Sequence, residues 1–433
     1  MKRLTMVLWA VCLMVVAIFV TGCSKRSPPA SADPNAPVTL TVWCWDPTFN
    51  VYAMNEAARI YRRNNPQVTV NVVETSWDDI QQRLTTSLSA RQTGNLPDII
   101  LMQDNAIQKN VTTFPNAFLP VDGKVDLSQF AQYKVDVGAI EGKNYGVPFD
   151  NGASATFLRR DIVEQAGLKV SDFNDITWNR FIELAKTVKQ KTGIAMLSAV
   201  GGENDLVPAM LQSAGAWFFD AQGKVNIANN AALREAARVY KELVDGGLIM
   251  LVADWNAYIA SLNTGSVAAT VNGCWIVGSI SAESSQSGKW AVVSTPRLNI
   301  PQGTNYSSVG GSSWVVLSSS KNADRAMDFL NKTFAGSVEL YETILPSSGA
   351  IGTWLPAGKS PVYSQPNAFF GGQKIYQDIV GYAEKVPKIK YGIFNYEARN
   401  YVAQALNDIA TRGVAIDTAF TRAQRDTEFI INQ

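Results

Sequence analysis

Two patterns of hydrophobic and polar positions divide this chain. Residues 4–20 form an apolar run behind Lys2 and Arg3, and the run ends in Val20-Thr21-Gly22-Cys23. A positive start, an apolar stretch and small residues before a cleavage point make the layout of a secretory signal. A comfortable membrane span takes about 20 apolar residues, so the run is short for one. An uncleaved N-terminal anchor is the alternative. From residue 38 the pattern changes to strand and helix periods in alternation. Residues 38–45 (VTLTVWCW) are β-rich and alternate, which predicts a strand. After Pro47-Thr48, Val51, Met54, Ala58 and Tyr61 recur at helical spacing, and the helix ends before Pro66. Residues 68–73 predict a second strand. Ser76 and Asp79 give the next helix a capping-box-like start, with Ile80, Leu84 and Leu88 on one face. Gly94 closes that helix, and residues 97–102 predict a third strand. This β-α-β-α-β order argues for a parallel sheet with right-handed crossovers. Residues 142–148 read as a short hairpin-like element leading into another strand.

A second stretch of the same style follows. Thr177-Trp178 opens a helix with Leu184, Ala185 and Val188 on one face, and residues 194–200 predict a strand. Residues 231–244 are an amphipathic helix closed by Gly246-Gly247, residues 267–271 a strand, and residues 275–280 the start of another element. Residues 322–334 and 396–411 are helical. Two α/β lobes, each with its own sheet, account for this alternation.

Composition narrows what such a chain does. Residues 24–37 (SKRSPPASADPNAP) carry no large apolar side chain and predict a disordered leash. Its reach is at most roughly 45 Å. Roughly 395 residues remain, too many for one ordinary core. The net charge is +1 and no block of Lys and Arg stands out, so nucleic acid is excluded as a partner. The absence of histidine rules out Ser-His-Asp and Cys-His nucleophile systems and His-ligated zinc. No metal site or cofactor is expected. Carboxylate chemistry stays open. Cys44 and Cys274 are either a disulfide formed in an oxidising compartment or two buried thiols in apolar strands.

Five segments, in order, resemble one family: the extracellular solute-binding proteins of ABC importers that carry oligosaccharides, the maltodextrin-binding group. They are LTVWCWD, LPDIILMQD, NYGVPFDNGASATFLRRDIVEQAGL, ASLNTGSVAATVNGCWIVGSI and SSVGGSSWVVLSSSKNADRAMDFL, spread from residue 40 to residue 330. The wording of WCWDPTFNVYAMNEAA and LMQDNAIQKN is similar to receptors for lactose and for galacto- or arabino-oligosaccharides. Asn395, in FNYEAR, stands where maltodextrin binders place an aromatic. Cys23 directly after small residues resembles a bacterial lipobox, which implies lipidation of Cys23. The resemblance implies a type II periplasmic-binding-protein fold with the ligand between two lobes. Its expected division is a signal over 1–22, a lipid-anchored linker over 23–37, a first lobe over 38–148 plus 298–345, and a second over 149–297 plus 346–433. Crossings are expected near 147–152, 292–297 and 345–351. The expected partners are an oligosaccharide, the permease subunits and, through the lipid, the membrane; the protein is expected to be a monomer.

A sugar has an apolar C–H face and a rim of hydroxyls, so its binder needs flat aromatics and planar polar side chains. Trp275, after Asn272-Gly273, is a stacking platform by resemblance; core packing is the alternative. Trp45 and Asp46 end the first predicted strand, where α/β folds bind ligands. Trp77 either walls the cleft or staples its helix. Gln103, Asp104 and Asn105 offer hydroxyl partners or cap a helix. Asp150 and Asn151 are hinge or ligand residues. Glu203, Asn204 and Asp205 match a family loop facing the cleft or lie on a plain surface. Gly311 and Ser312 would bring backbone amides to the ligand, and Tyr396 and Arg399, one turn apart, would cover it. Two rival readings stay open: a glycosidase using two of Asp46, Asp104, Asp150 and Glu203, whose carboxyls would stand about 5–9.5 Å apart, and a polyamine binder. A phosphate ester would want Arg or Lys at the strand ends, and those positions carry mostly Trp, Asp, Asn and Gln.

Overall fold

Strand and helix alternate in the order the periodicity predicts, and the strands sort into two main sheets. The computed structural model describes residues 36–201 and 205–432; Cys23, residues 24–35 of the leash, Glu203 and Asn204 lie outside the described residues. In chain order the strands are β1 (Val38–Cys44), β2 (Val68–Glu74), β3 (Ile99–Gln103), β4 (Ala139–Ile140), β5 (Lys143–Asn144) and β6 (Val147–Pro148). They continue as β7 (Ser154–Arg159), β8 (Leu197–Val200), β9 (Ile249–Val252), β10 (Ala269–Gly273), β11 (Trp290–Val293) and β12 (Ser312–Val316). The first sheet runs β2-β1-β3-β12-β6. Within it β1 and β3 are parallel, as the β-α-β order requires, and the returning β12 is antiparallel to β3.

Helix signals in the sequence act as expected. Ser76 accepts from the Asp79 N–H, Thr177 from the Arg180 N–H and Asn230 from the Leu233 N–H, each satisfying a first-turn donor. After β1, Asp46 caps a π-turn over Pro47–Val51 before the helix Tyr52–Arg62 begins. Apolar faces of the helices Trp77–Ser89 and Asp104–Thr113 bury Ile80, Leu84, Ala106 and Ile107 against the first sheet. A second and larger core gathers around Trp178, Phe181, Leu211, Phe218 and Phe420.

The second sheet runs β10-β7-β11, with both neighbours antiparallel to β7. The parallel pair β8/β9 joins it where the Ala269 N–H donates to Met196 O at 2.7 Å. The fold is thus a two-lobed type II binding-protein fold, each sheet flanked by helices.

Three passages between the lobes lie hydrogen-bonded side by side. The Phe149 N–H donates to Ser312 O, the Val309 N–H to Gly152 O, and the Asn151 N–H to Ile351 O. The second passage comes later than the 292–297 expected. The Trp178 N–H donates to Arg297 O and the Arg297 N–H to Ile176 O, Leu298 sits in the second core, and Thr304 donates to Ser213 O, so the chain stays with the second lobe to about residue 307. The resemblance therefore placed this switch about ten residues too early.

Candidate functional site

A cavity of about 470 Å³ opens beside the C-terminal ends of β8 and β9, the end of parallel strands where α/β folds place ligands. Ser198, Gly201, Asp205, Asp254, Trp255, Tyr258, Thr270, Asn272 and Arg399 line it. Its aromatic wall comes from the helix Trp255–Asn263. Asp254 caps that helix by accepting from the Ala257 N–H at 2.8 Å, which fixes Trp255 at its first position. Trp255 is 44% exposed, yet its ring stacks on Tyr258 at 5.1 Å and 26° and meets Trp275 at 5.7 Å. Trp275 is held from behind, its Nε1 donating to Val309 O at 2.9 Å.

The polar side is pre-arranged. Asn272 Nδ2 donates to Tyr258 Oη at 2.9 Å, and that hydroxyl also meets Thr270. Burial pushes the Tyr258 phenol up to about 12, so it stays a neutral hydroxyl. Arg399 pairs with Asp205 at 2.5 Å. The cavity therefore offers an exposed indole face beside carboxylate, amide, hydroxyl and guanidinium groups. Asp205, Asn272 and Arg399 are brought together as the sequence suggests, with Trp275 supporting the wall. Trp255 and Tyr258 were missed, although an Asp cap followed by aromatics three residues apart on one helix face was there to be read.

Other candidates lie elsewhere. Trp45 and Trp77 pack with ring centroids 5.5 Å apart at the edge of the first core. Asp46 is a helix cap: its Oδ1 accepts from the Thr48 and Phe49 amides at 2.9 and 3.0 Å. The turn before it is pinned by buried Asn50, which accepts from the Trp45 and Asp46 amides. Tyr396 Oη meets Asn105 Oδ1 at 2.8 Å and Gln103 Oε1 at 3.1 Å, so Tyr396 pairs with both residues.

Asp104, Asp150, Asn151, Gly311 and Ser312 build the passages between the lobes. Asp104 forms an ion pair with Lys134, both fully or almost fully buried, and accepts from Ser313 Oγ at 3.0 Å. Burial pushes the Asp104 carboxyl above its usual range against the pull of Lys134. Lys134 also donates to Ser312 O at 3.1 Å. Asp150 accepts from the Ser312 N–H at 2.8 Å and from its hydroxyl. Asn151 Oδ1 accepts from Tyr133 Oη and the Ala153 N–H. Gly311 takes φ +100°, and a Cβ there would stand 2.8 Å from both Asp104 Oδ2 and Lys134 Nζ. The Ser312 amide offered to a ligand by the sequence reading is therefore already occupied by Asp150.

Cys44 and Cys274 are both buried and free, which corrects the disulfide alternative. Burial pushes the Cys44 thiol up to about 12 and raises Cys274 as well; the Cys274 thiol donates to Asn151 O. Among the described residues no group of three or more His, Cys, Asp or Glu could hold a metal ion, and no helix is long and apolar enough to cross a membrane.

The model of the family described as "Bacterial extracellular solute-binding protein" matches residues 56–367, well over half of the chain. The chain belongs to that family. Extracellular solute-binding proteins bind their cargo outside the cytoplasm, and the family and its relatives are binding proteins rather than enzymes. The chain is 42% identical over 358 residues to the lactose-binding protein of Rhizobium radiobacter, across 83% of this chain and 85% of that one. It is 22% identical over 338 residues to the arabinooligosaccharide-binding protein of Bacillus subtilis, across 76% of each. Among solved structures, the galacto-N-biose-/lacto-N-biose I-binding protein of the ABC transporter from Bifidobacterium longum aligns with a TM-score of 0.73 at 21% identity, over 92% of this chain and 97% of that one. At that identity the likeness speaks for the fold.

Proposed function

We propose that this solute-binding protein captures an oligosaccharide, lactose or a related galacto- or arabino-oligosaccharide, and delivers it to an ABC permease. The observation that carries the reading is the cavity's exposed indole, Trp255, beside Asp205, Asn272 and Arg399, the pairing of flat face and hydroxyl partners that a sugar requires. Identity of 42% to a lactose-binding protein supports the substrate class. Lobe closure favours the bound form by its differential affinity. The lobes divide near 148 and 345. Affinity in the micromolar range, about −8 kcal/mol, allows release.

Lactose at 100 times its Kd is expected to add about 2.7 kcal/mol of stability, read as a rise in Tm. A panel with lactose, arabino-oligosaccharides, maltose and putrescine tests the reading. No shift with any sugar, alongside a shift with putrescine, would replace it with the polyamine reading. Chromatography of lactose incubated with the protein addresses the glycosidase reading, since Asp104 and Asp150 already accept bonds inside the fold and intact sugar is the expected result.

The same reading makes Cys23 the lipid anchor and the protein a tethered monomer. Tethering near its permease raises the local concentration of loaded receptor without a new contact. Cys23→Ser is expected to move the protein from the membrane to the soluble fraction and to abolish incorporation of labelled fatty acid; membrane retention of that variant would favour an uncleaved anchor.

A further inference from the structure

Tyr396 departs from the packing of its own helix. The helix Asn395–Arg412 buries Ala398, Val402, Ala405 and Ile409 in the second core, and Ile389 and Phe394 just before it pack there too. Tyr396, one turn before Arg399, packs instead against the first core. Three further polar contacts run the same way from residues 388–397. Lys388 pairs with Asp136 at 2.5 Å, the Gly392 N–H donates to Gln108 Oε1 at 3.1 Å, and Glu397 accepts from Lys109 at 2.6 Å. Lys109 also lies 5.9 Å from the centroid of the Tyr396 ring. Gln103, Asn105, Gln108 and Lys109 belong to β3 and the helix that follows it in the first lobe. One short segment of the second lobe thus holds the first lobe at four places.

We infer that residues 388–397 form a latch that sets how long the lobes stay closed. Its side chains do not line the cavity, so it acts on affinity through the closed state, as positioning residues rather than ligand contacts. The link to the cavity is direct: the turn that places Tyr396 on Gln103 and Asn105 places Arg399 on Asp205. Opening the lobes must break the Tyr396 contacts and leaves Arg399 with the second lobe. This inference builds on the sugar-binding reading only for its second readout.

The test uses the full chain in detergent, with spin labels at Arg91→Cys and Lys191→Cys, both exposed, while the native Cys44 and Cys274 are buried. Tyr396→Phe removes the hydroxyl alone, and Lys109→Glu sets two negative charges face to face. Both are expected to lengthen the inter-label distances of the protein without added sugar. Both are also expected to speed lactose release about fivefold, the worth of roughly one hydrogen bond, with association unchanged or faster. The Lys109→Glu/Glu397→Lys swap is expected to restore both readouts. Distances equal to the parent's in both folded variants, or slowed association with unchanged release, would overturn the latch. Lengthened distances in a protein that binds no lactose would support the latch and reject lactose as the ligand.

Discussion

Lys134→Ala is expected to cost about 3–5 kcal/mol of unfolding free energy at pH 7. Lys134 is fully buried, its ammonium held by Asp104 and Ser312 O, and the variant leaves the Asp104 carboxylate buried with Ser313 as its remaining donor and Asp150 close by. Isolated in that place, Asp104 favours its neutral form, so its folded pKa lies above the unfolded value. A carboxyl raised in this sense costs nothing below its unfolded pKa and an increasing amount as pH rises toward the folded one. The deficit should therefore be larger at pH 7 than at pH 5, measured by urea denaturation at both. Asp104→Leu/Lys134→Met, which removes both charges, should recover most of the loss. A deficit under about 1 kcal/mol for Lys134→Ala would mean that water reaches the pair.

Trp255→Ala is expected to weaken lactose binding roughly 30-fold, about 2 kcal/mol, the size of an aromatic anchor at a binding surface. Because the side chain is 44% exposed and lies at a helix start, Tm should fall by little. Titration calorimetry separates the two effects. Trp255→Phe should keep most of the affinity, since a flat ring remains over Tyr258. An alanine variant with parental affinity would remove Trp255 from the site and return the stacking role to Trp275.

The sequence carried the architecture because local signals agreed with one another. Alternation marked β1 and β3, caps such as Ser76 and Thr177 marked helix starts, and the five family-like segments fell in order along both sheets. Long-range pairing was harder to read. Asp104 looked like an exposed cap or ligand, because nothing near Tyr133-Lys134 announces that a lysine 30 residues away is buried against it. Asp150 and Ser312 are 162 residues apart, and only the side-by-side passages make them partners. Asp46 was visible as a strand-end acid, but an Asp two residues before a Thr amide is equally a helix cap, and that role holds its Oδ1. Of the site residues that were legible, Asn272 sits in one of those segments, Asp205 in a loop that matches the family's, and Arg399 was marked by its place one turn after Tyr396. Trp255 lies just before a family-like segment, so its cap-and-aromatic signal went unweighed.

The cavity is walled entirely by second-lobe residues, among them the ends of β8 and β9 and the turn that carries Arg399. On the proposed function this sets an order of events. A sugar can dock on a half-site that exists before the lobes meet, so the encounter is bimolecular and closing follows as a separate first-order step. At low sugar the observed rate should rise linearly with concentration and then level off, whereas fast binding to a pre-closed form alone would make it fall as sugar increases.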